Sequence, residues 1–286
     1  MRLLSFFLDG RETWGAVRGD QVLDLAAATG LPTLAEFIAS PRWAERESIA
    51  AKAAPVAALA GLRYLPPIPR PEKIVCAVRN YMDHHQEVLA AGLQRELAEH
   101  PPIFLRVWRS QCAHDEPIVR PHVSESLDWE GELVVVIGKT GRCIAEADAW
   151  DHVAGYSVYN DASIREWQFH AKQIASGKNF ESTGGFGPWM VTADEIAPGR
   201  QLAIETRLNG EKVQSSHTGH MIFSIPTLIS YASTIFTLVP GDLIVTGTPA
   251  GVGWSRKPPR FMKPGDVCEV EIEGIGVLRN PIAQQA

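Results

Sequence analysis

The stretch that most constrains the fold is DWEGELVVVIGK, residues 128 to 139. Its apolar run from Leu133 to Ile137 is typical of a buried β-strand. Glu130 and Glu132 stand directly before that run, and because successive side chains of a strand point to opposite faces, both carboxylates project on the same side. Two anions this close are unfavourable unless a cation lies between them. The strand therefore begins either at a solvated edge, which is the usual setting of a lone Glu-x-Glu pair, or beside a cation.

A third carboxylate, that of Asp161, favours the cation. Asp161 ends the strand-like segment VAGYSVYND and precedes a predicted helix, so its side chain can face the end of an adjacent strand. As an isolated residue it could equally cap that helix. Three carboxylates without a Cys or His beside them prefer Mg²⁺, Mn²⁺ or Ca²⁺ over Zn²⁺. Such a set leaves coordination positions open for water and a chelating substrate.

A candidate general base lies in RNYMDHHQEV, residues 79 to 88. Asn80 is predicted to cap a helix, with Asp83 three residues on, which places His84 and Glu87 on one face of the first turn. A carboxylate bonded to an imidazole fixes its tautomer and raises its basicity, as the activation of water requires. The alternative is a surface helix with ordinary polar residues.

Cationic and amide side chains follow the third carboxylate. Arg165 and Gln168 share a face of a helix predicted over residues 163 to 173, and Lys178 stands next to a glycine-rich loop. Near three carboxylates, such groups could bind a substrate's carboxylate and a developing oxyanion. As isolated residues they would carry no argument.

Composition excludes several classes of partner. The chain has 286 residues, a formal net charge of −6 and no Lys/Arg-rich run, so neither nucleic acid nor an anionic membrane is expected. The apolar N-terminal stretch is cut short at Asp9, and no run of eighteen apolar residues exists, so neither a signal peptide nor a membrane span is predicted. The four scattered cysteines indicate reduced thiols and a cytoplasmic location. The expected partner is a small molecule.

The predicted organisation is a small N-terminal domain, residues 1–70, followed by a catalytic domain, residues 71–286. The first 25 residues alternate around turn signals as a strand meander does, and the stretch from Leu34 to Leu59 is Ala-rich with helical spacing. The proline cluster LPPIPRP, residues 65 to 71, marks the boundary.

Beyond the boundary, strand signals outnumber helix signals and do not alternate with them, which predicts an α+β fold of mixed sheets. Strands are predicted at 73–78, 103–106, 133–138, 152–160, 202–210, 242–247 and in two segments near the C-terminus. Helices are predicted at 82–98, at 163–173 with a capping box of Ser163 and Glu166, and at 225–236 with Pro226 just inside its start. The glycines of TGGFGP (183–188) and GTPAGVG (247–253) have the wrong spacing for a phosphate loop and are interpreted as shaping loops.

Taken together, the motifs resemble those of the fumarylacetoacetate hydrolase family. The resemblance runs from Lys73 to the C-terminus and is carried, in order, by RNYMDHHQE, DWEGELVVVIGK, AGYSVYNDASIREWQ, GKNF, GPWMVTADEI, RLNGEKVQ and LVPGDLIVTGTPAGVG. It implies a mixed β-roll catalytic fold, a homodimer and one divalent cation per site, Mg²⁺ or Mn²⁺, with Ca²⁺ possible. The implied metal ligands are Glu130, Glu132 and Asp161, and the implied catalytic dyad is His84 with Glu87.

The resemblance also assigns the surrounding residues. Arg79 and Tyr81 belong to the dyad motif, Gln168 and Lys178 match residues that handle substrate oxygens, and Thr248 matches the threonine of the Gly-Thr loop. With Arg165, these form the expected substrate-binding set, and Lys178 is expected to be catalytic. The chain departs from the family pattern in two places. Many members have Lys where this chain has Arg106, and the segment from Leu89 to His100 is extended.

Three functions are compatible with these residues. The preferred one is hydrolysis of a carbon–carbon bond in a 2,4-dioxo acid of the acylpyruvate or fumarylpyruvate type, releasing pyruvate and a carboxylic acid, in the catabolism of aromatic or related compounds. The alternative keeps the metal enolate but decarboxylates or tautomerises oxaloacetate, or isomerises and decarboxylates an unsaturated dioxo diacid. The third is a non-catalytic metal-binding protein, which would not need an intact dyad.

Overall fold

The computed structural model describes residues 1–92 and 96–286. Within these ranges the chain forms nineteen β-strands and six α-helices. The strands are β1 (Arg2–Leu8), β2 (Arg11–Arg18), β3 (Gln21–Asp24), β4 (Pro55–Ala58), β5 (Tyr64–Leu65), β6 (Ile74–Ala77), β7 (Ile103–Arg106), β8 (Gln111–Cys112), β9 (Ile118–Arg120), β10 (Leu127–Asp128), β11 (Gly131–Ile137), β12 (Val153–Asp161), β13 (Ser163–Ile164), β14 (Gly184–Thr192), β15 (Ala203–Leu208), β16 (Glu211–His217), β17 (Leu243–Val245), β18 (Val267–Ile272) and β19 (Gly276–Gln284).

The helices are short and lie between the strands. The α-helices are α1 (Leu25–Thr29), α2 (Leu34–Ala39), α3 (Arg46–Lys52), α4 (Met82–Ala90), α5 (Arg165–Gln168) and α6 (Ile225–Ile235). The 3-10 helices are Pro41–Glu45, Trp108–Ser110, Glu146–His152, Ile174–Gly177, Ala193–Glu195 and Thr218–His220. None of the helices that the structure describes is long and apolar enough to cross a membrane.

The strands form a large mixed sheet and two smaller sheets, which confirms the predicted α+β class. The large sheet has twelve strands, of which ten follow the path β4-β3-β2-β1-β14-β12-β11-β17-β6-β7, while β5 pairs with β1 and β8 pairs with β14. A five-stranded sheet has the order β16-β15-β18-β19-β9, and a two-stranded sheet joins β10 to β13. Most neighbours are antiparallel, whereas the pairs β17–β6, β14–β8 and β19–β9 are parallel. Strand β1 pairs with β14, so the predicted boundary at the proline cluster separates strands of one continuous sheet. The division into two domains stays a prediction.

Strand β11 lies near the middle of the large sheet, between β12 and β17. All seven of its residues are buried. Leu133 and Ile137 belong to an apolar cluster on one face of the sheet, and Val134 and Val136 belong to a second cluster on the other face. A strand covered on both faces reads as a continuous apolar run rather than an alternating one. This is why the apolar run after Glu132 is unbroken.

The first predicted helix, residues 82–98, is shorter in the structure. Helix α4 ends at Ala90, and residues 93–95 of the predicted span lie outside the described residues. Asn80 is not its cap, because Tyr81 occupies that position without a side-chain hydrogen bond. The Asn80 amide instead donates to the carbonyls of Phe223 and Thr246 at 2.9 Å each, which joins two distant segments at the start of α4. The Asn80 side chain, which local spacing assigned to the helix cap, forms long-range hydrogen bonds instead.

The second predicted helix, residues 163–173, is wrong over most of its length. Ser163 and Ile164 form β13, which pairs with β10, and only Arg165–Gln168 is α-helical. The predicted capping box is absent, because the Ser163 hydroxyl donates to the Asp161 carbonyl at 2.9 Å. The third predicted helix is confirmed as α6, which Ser224 caps.

The glycines of TGGFGP lie in a strand and not, as predicted, in a loop. Gly184 begins β14, where a Cβ would stand 2.5 Å from the Tyr159 hydroxyl and 2.8 Å from Nη1 of Arg106. At Gly185 a Cβ would stand 2.6 Å from Oδ1 of Asn280. These glycines therefore allow buried polar side chains to approach the backbone of β14, close to the end of β12.

Candidate metal centre and active site

The pairing of β11 with β12 brings the three predicted metal carboxylates together. Gly131 pairs with Asn160 across the two strands. Glu130 and Glu132 are the chain neighbours of Gly131, and Asp161 follows Asn160 as the last residue of β12. The Asp161 amide donates to the Glu130 carbonyl at 2.8 Å. All three side chains are buried, and one carboxylate oxygen of each lies within 4.8 Å of the others. The structure thus assembles the predicted set from residues that are adjacent across two strands.

Three cationic side chains surround the carboxylates. Lys178 Nζ lies 2.6 Å from both Glu130 Oε2 and Asp161 Oδ2. Nη1 of Arg165 lies 2.6 Å from Glu130 Oε1, and Nη1 of Arg106 lies 3.1 Å from Asp161 Oδ1. Two of the three carboxylates therefore have close positive neighbours.

Glu132 is placed differently from the other two carboxylates. Its Oε2 accepts a 2.5 Å hydrogen bond from the Gly247 amide, and within residues 1–92 and 96–286 it forms no salt bridge. Burial, followed by the negative charges of Asp161 and Glu130, raises the pKa of Glu132 well above its usual range. Burial also acts on Glu130, but Lys178 and Arg165 outweigh it and lower the pKa of Glu130 to about 2. Two glutamates on one face of a strand therefore have opposite tendencies to bind a proton.

A divalent cation fits this arrangement. Glu132 offers a buried carboxyl that forms no salt bridge within the described residues, and the buried Oδ1 of Asp161 is approached by Nη1 of Arg106 at 3.1 Å. The donors are oxygen atoms only, which is the ligand set of hard cations. The carboxyl groups of Glu130, Glu132 and Asp161 could hold such an ion.

The predicted dyad lies on α4. Nδ1 of His84 is 3.0 Å from Oε2 of Glu87. Oε1 of Glu87 accepts hydrogen bonds from the Gly251 amide at 2.9 Å and the Ser255 hydroxyl at 2.6 Å. Burial opposes the charged form, but His84 and Ser255 lower the pKa of Glu87. An ionised Glu87 accepts a hydrogen bond from the N–H at Nδ1 of His84, which leaves Nε2 of His84 available as a base.

The residues expected to bind substrate have different settings. Nη2 of Arg165 is buried and without a hydrogen-bond partner in the described parts of the chain, while Nη1 donates to Oε1 of Gln168 at 3.0 Å. The Thr248 hydroxyl donates to the Gly131 carbonyl at 2.9 Å. Tyr81 is fully buried, and burial raises its pKa.

A cavity of about 90 Å³ joins these groups. The polar residues that line it are Arg79, His84, Glu130, Glu132, Arg165, Gln168, Lys178 and Thr248. The apolar residues that line it are Ala77, Val78, Val88, Phe104, Phe169, Ile174, Val252 and Trp254. Of the predicted set, Tyr81, Glu87 and Asp161 are not among the lining residues. The structure thus brings most of the predicted site residues to one small, half-apolar cavity.

Three aromatic-ring residues from the segments 89–124 and 179–188 do not line this cavity. Trp108 is exposed, His114 packs edge-on against Tyr64, and Phe180 packs against Trp167. The aromatic residues that do line it come from β7, from the end of α5 and from the loop after β17, and no local pattern predicts that these three segments meet.

Sequence reasoning also missed Asp128, the first residue of the stretch DWEGEL. Oδ2 of Asp128 accepts a 2.7 Å hydrogen bond from Nε of Arg165, and both side chains are buried. A carboxylate two residues before Glu130, on the same strand face, was the available signal.

Comparison with known proteins gives consistent matches. Residues 73–283 match the family described as fumarylacetoacetate (FAA) hydrolase C-terminal. The oxaloacetate tautomerase fahd2, mitochondrial, of Xenopus laevis is 44% identical over 220 residues, which cover 76% of this chain and 67% of that protein.

Two solved structures match over the full length of both chains. The fumarylacetoacetate hydrolase EaFAH of psychrophilic Exiguobacterium antarcticum is 35% identical with a TM-score of 0.86. The maleylpyruvate hydrolase of Sphingobium sp. SYK-6, in complex with manganese (II) ion and pyruvate, is 28% identical with a TM-score of 0.83.

Proposed function

The chain belongs to the fumarylacetoacetate hydrolase family, and from this premise we propose that it is a divalent-metal-dependent tautomerase of oxaloacetate or a closely similar 2-oxo acid. The observation that carries the proposal is the buried set of Glu130, Glu132 and Asp161 beside a cavity lined by an imidazole and by a guanidinium, one nitrogen of which has no hydrogen-bond partner among the described residues. The similarity to an oxaloacetate tautomerase of Xenopus laevis supports tautomerisation over the hydrolysis that the sequence motifs favoured.

We propose Mg²⁺ or Mn²⁺ as the cation, with Ca²⁺ as a possible substitute. The oxygen-only ligand set and the manganese found in the maleylpyruvate hydrolase structure support this choice. When bound, the cation would supply Lewis acidity that stabilises the enolate form of a 2-oxo acid.

The chain's own residues would move and hold the protons. Interconversion of enol and keto forms removes a proton from the oxygen on C2 and adds one at C3, or the reverse. His84, with Nδ1 held by Glu87 at 3.0 Å, presents Nε2 as the group that exchanges the C3 proton. Burial lowers the pKa of Lys178, but Asp161 and Glu130 outweigh burial and raise it, so its ammonium stays charged. It can donate a hydrogen bond to the oxygen on C2.

Arg165 and Gln168 would bind a carboxylate of the substrate. Two nitrogens of the Arg165 guanidinium, Nε and Nη1, donate hydrogen bonds to protein oxygens. The third, Nη2, has no hydrogen-bond partner among the described residues. A buried donor without a partner is costly, and a substrate carboxylate would satisfy it. A fixed guanidinium binds without losing much side-chain entropy.

A second candidate function is hydrolysis of a 2,4-dioxo acid. The observation that favours it is the His84–Glu87 pair, since a base oriented by a carboxylate can equally activate water for attack on a C4 carbonyl. That attack would break the bond between C3 and C4 and release pyruvate. The maleylpyruvate hydrolase at 28% identity supports this candidate.

One experiment separates the two candidates. Purified protein with Mg²⁺ is given oxaloacetate, maleylpyruvate, fumarylpyruvate and a short acylpyruvate in turn, and products are followed by ¹H NMR. A tautomerase accelerates enol–keto exchange of oxaloacetate and leaves the dioxo acids intact. Pyruvate formed from a dioxo acid, without faster exchange of oxaloacetate, would replace the first candidate with the second.

Three further features remain proposals. We propose a homodimer, which light scattering after size-exclusion chromatography tests, and a domain boundary at residues 65–71. We also propose a cytoplasmic location, supported by four free cysteines, of which three are buried.

A further inference from the structure

The loop after β17 is bound to two carboxylates at once. Within residues 251–255, the Gly251 amide and the Ser255 hydroxyl donate to Oε1 of Glu87 at 2.9 and 2.6 Å. Glu87 lies on α4, so these bonds tie the loop to the helix that carries His84. We refer to residues 251–255 as the latch segment.

The same five residues are bound from the other side by Asp128. The amide of Gly253 donates to Oδ1 of Asp128 at 2.7 Å, and the amide of Trp254 donates to Oδ2 at 2.9 Å. Asp128 is completely buried at the end of β10, and it also accepts the bond from Nε of Arg165 at 2.7 Å. One carboxylate thus orients the substrate-binding guanidinium and the latch segment together.

We propose that the latch segment couples the His84–Glu87 dyad to Arg165, and that Asp128 and Ser255 are positioning residues for the reaction. The inference rests on the proposed function only for the roles of His84 and Arg165. The connection itself consists of hydrogen bonds, running from Glu87 to Ser255 and Gly251, and from the neighbouring amides to Asp128.

The backbone of the latch segment is confined, so a shift at one end is transmitted to the other. At Gly253 a Cβ would stand 1.8 Å from the Arg260 carbonyl and 2.7 Å from Oδ1 of Asp128. Gly251 has φ of +105°, a conformation that side chains rarely adopt. In this conformation four donors from five residues reach carboxylates. The segment therefore has little freedom to change at Asp128 while keeping its bonds to Glu87.

The latch segment also forms part of the cavity wall. Val252 and Trp254 line the cavity, and the Trp254 ring packs against Phe169, which follows α5, with centroids 5.5 Å apart. A ligand that fills the cavity contacts the latch segment as well as Arg165. Binding of a carboxylate at Arg165 would then favour the arrangement in which Glu87 holds His84.

The test uses full-length, Mn²⁺-loaded protein and two variants. Ser255→Ala removes one bond to Glu87, and Asp128→Asn removes an acceptor for Trp254 and Arg165 without reaching α4. Amide hydrogen–deuterium exchange is measured for residues 82–90 and 251–255. The expected result is exchange at least several-fold faster in residues 82–90 for both variants, because a hydrogen bond to a charged group is lost in each.

Kinetics with oxaloacetate separates positioning from a general loss of stability. Ser255→Ala is expected to lower kcat roughly tenfold with a smaller change in KM, and Ser255→Thr, which keeps the hydroxyl, to restore most of it. Ser48→Ala is the matched control, because Ser48 is exposed and, among the described residues, its hydroxyl donates to the Glu45 carbonyl alone.

Two results would overturn the coupling. The first is an amide exchange rate in residues 82–90 of the Ser255→Ala variant that equals the rate in the wild type. The second is an Asp128→Asn protein that exchanges faster in residues 251–255 but keeps residues 82–90 protected. If the protein does not act on oxaloacetate, the exchange measurements still decide whether the coupling exists.

Discussion

The two glutamates that begin β11 should respond in opposite ways to the same substitution. In metal-free protein, Glu132→Gln is expected to stabilise the fold and Glu130→Gln to destabilise it. The reason is their neighbours: Glu130 is held by Lys178 and Arg165, whereas Glu132 faces two other anions. The side chains have the same shape and lie two residues apart, so each variant is the control for the other.

The magnitudes follow from the pKa shifts. For Glu130, the pKa falls from the usual 4.5 to about 2, a difference of about 2.5, and each unit is about 1.4 kcal/mol. A carboxyl group whose pKa is lowered in the folded protein stabilises the fold at a pH above its usual pKa. This stabilisation is lost as the pH falls through the pKa of the folded protein. Glu130→Gln therefore costs about 3 kcal/mol at neutral pH.

The sign is reversed for Glu132. Because the pKa of Glu132 is raised in the folded protein, Glu132 does not destabilise the fold below its usual pKa of 4.5. The free-energy penalty grows as the pH rises from 4.5 towards the pKa of the folded protein. At pH 7, which is 2.5 above that value, the penalty is at most about 3 kcal/mol. Glu132→Gln removes it, and the neutral amide still accepts the Gly247 hydrogen bond.

The assay is thermal unfolding of chelator-treated protein between pH 5 and pH 8, repeated with Mn²⁺. At pH 7 the two variants should differ in Tm by roughly 5–15 °C, with the wild type between them. The advantage of Glu132→Gln should shrink towards pH 5. Mn²⁺ at a hundredfold excess over its Kd should stabilise the wild type by about 2.7 kcal/mol and neither variant. Equal Tm values for the variants, or an equal Mn²⁺ response in all three proteins, would refute the assignment of charges and metal.

Three further substitutions test other parts of the account. Asn80→Ala should cost about 3 kcal/mol in urea unfolding, because it leaves buried backbone groups of Phe223 and Thr246 unpaired; a cost below about 1 kcal/mol would contradict this. Arg165→Lys should raise KM for oxaloacetate at least tenfold with a smaller effect on kcat, and an unchanged KM would remove Arg165 from substrate binding. Asp24→Asn should destabilise the protein above pH 4 and progressively less below it, because burial is outweighed by Arg11, which lowers the pKa of Asp24; a pH-independent Tm difference would be inconsistent with that pairing.

The carboxylate site could be predicted in part because its residues stand at the ends of two predicted strands. Glu130 and Glu132 share a face by the two-residue period, and Asp161 ends the strand that pairs with β11. The His84–Glu87 contact depends on helical spacing alone. These two spacings needed no knowledge of how distant segments pack, whereas the position of Asp161 beside the glutamates depends on the pairing of β11 with β12 and was implied by the family resemblance.

What could not be predicted depends on contacts between distant segments. Asn80 fits a helix cap by spacing, but its amide binds carbonyls 143 and 166 residues away. Ser163 and Glu166 have the spacing of a capping box, yet pairing with β10 places Ser163 in a strand. In both cases tertiary hydrogen bonds outweigh a local preference that amounts to about 1 kcal/mol.

The most direct test of the central claim is the rate at which enol oxaloacetate disappears in a stopped-flow absorbance experiment. Chelator-treated protein is compared with the same sample after addition of Mn²⁺, and Glu132→Gln is run in parallel. We predict acceleration over the Mn²⁺-only solution for the reloaded wild type, and none for the chelated protein or for Glu132→Gln. Equal rates with and without Mn²⁺, or full activity in Glu132→Gln, would contradict a metal-dependent tautomerase built on these carboxylates.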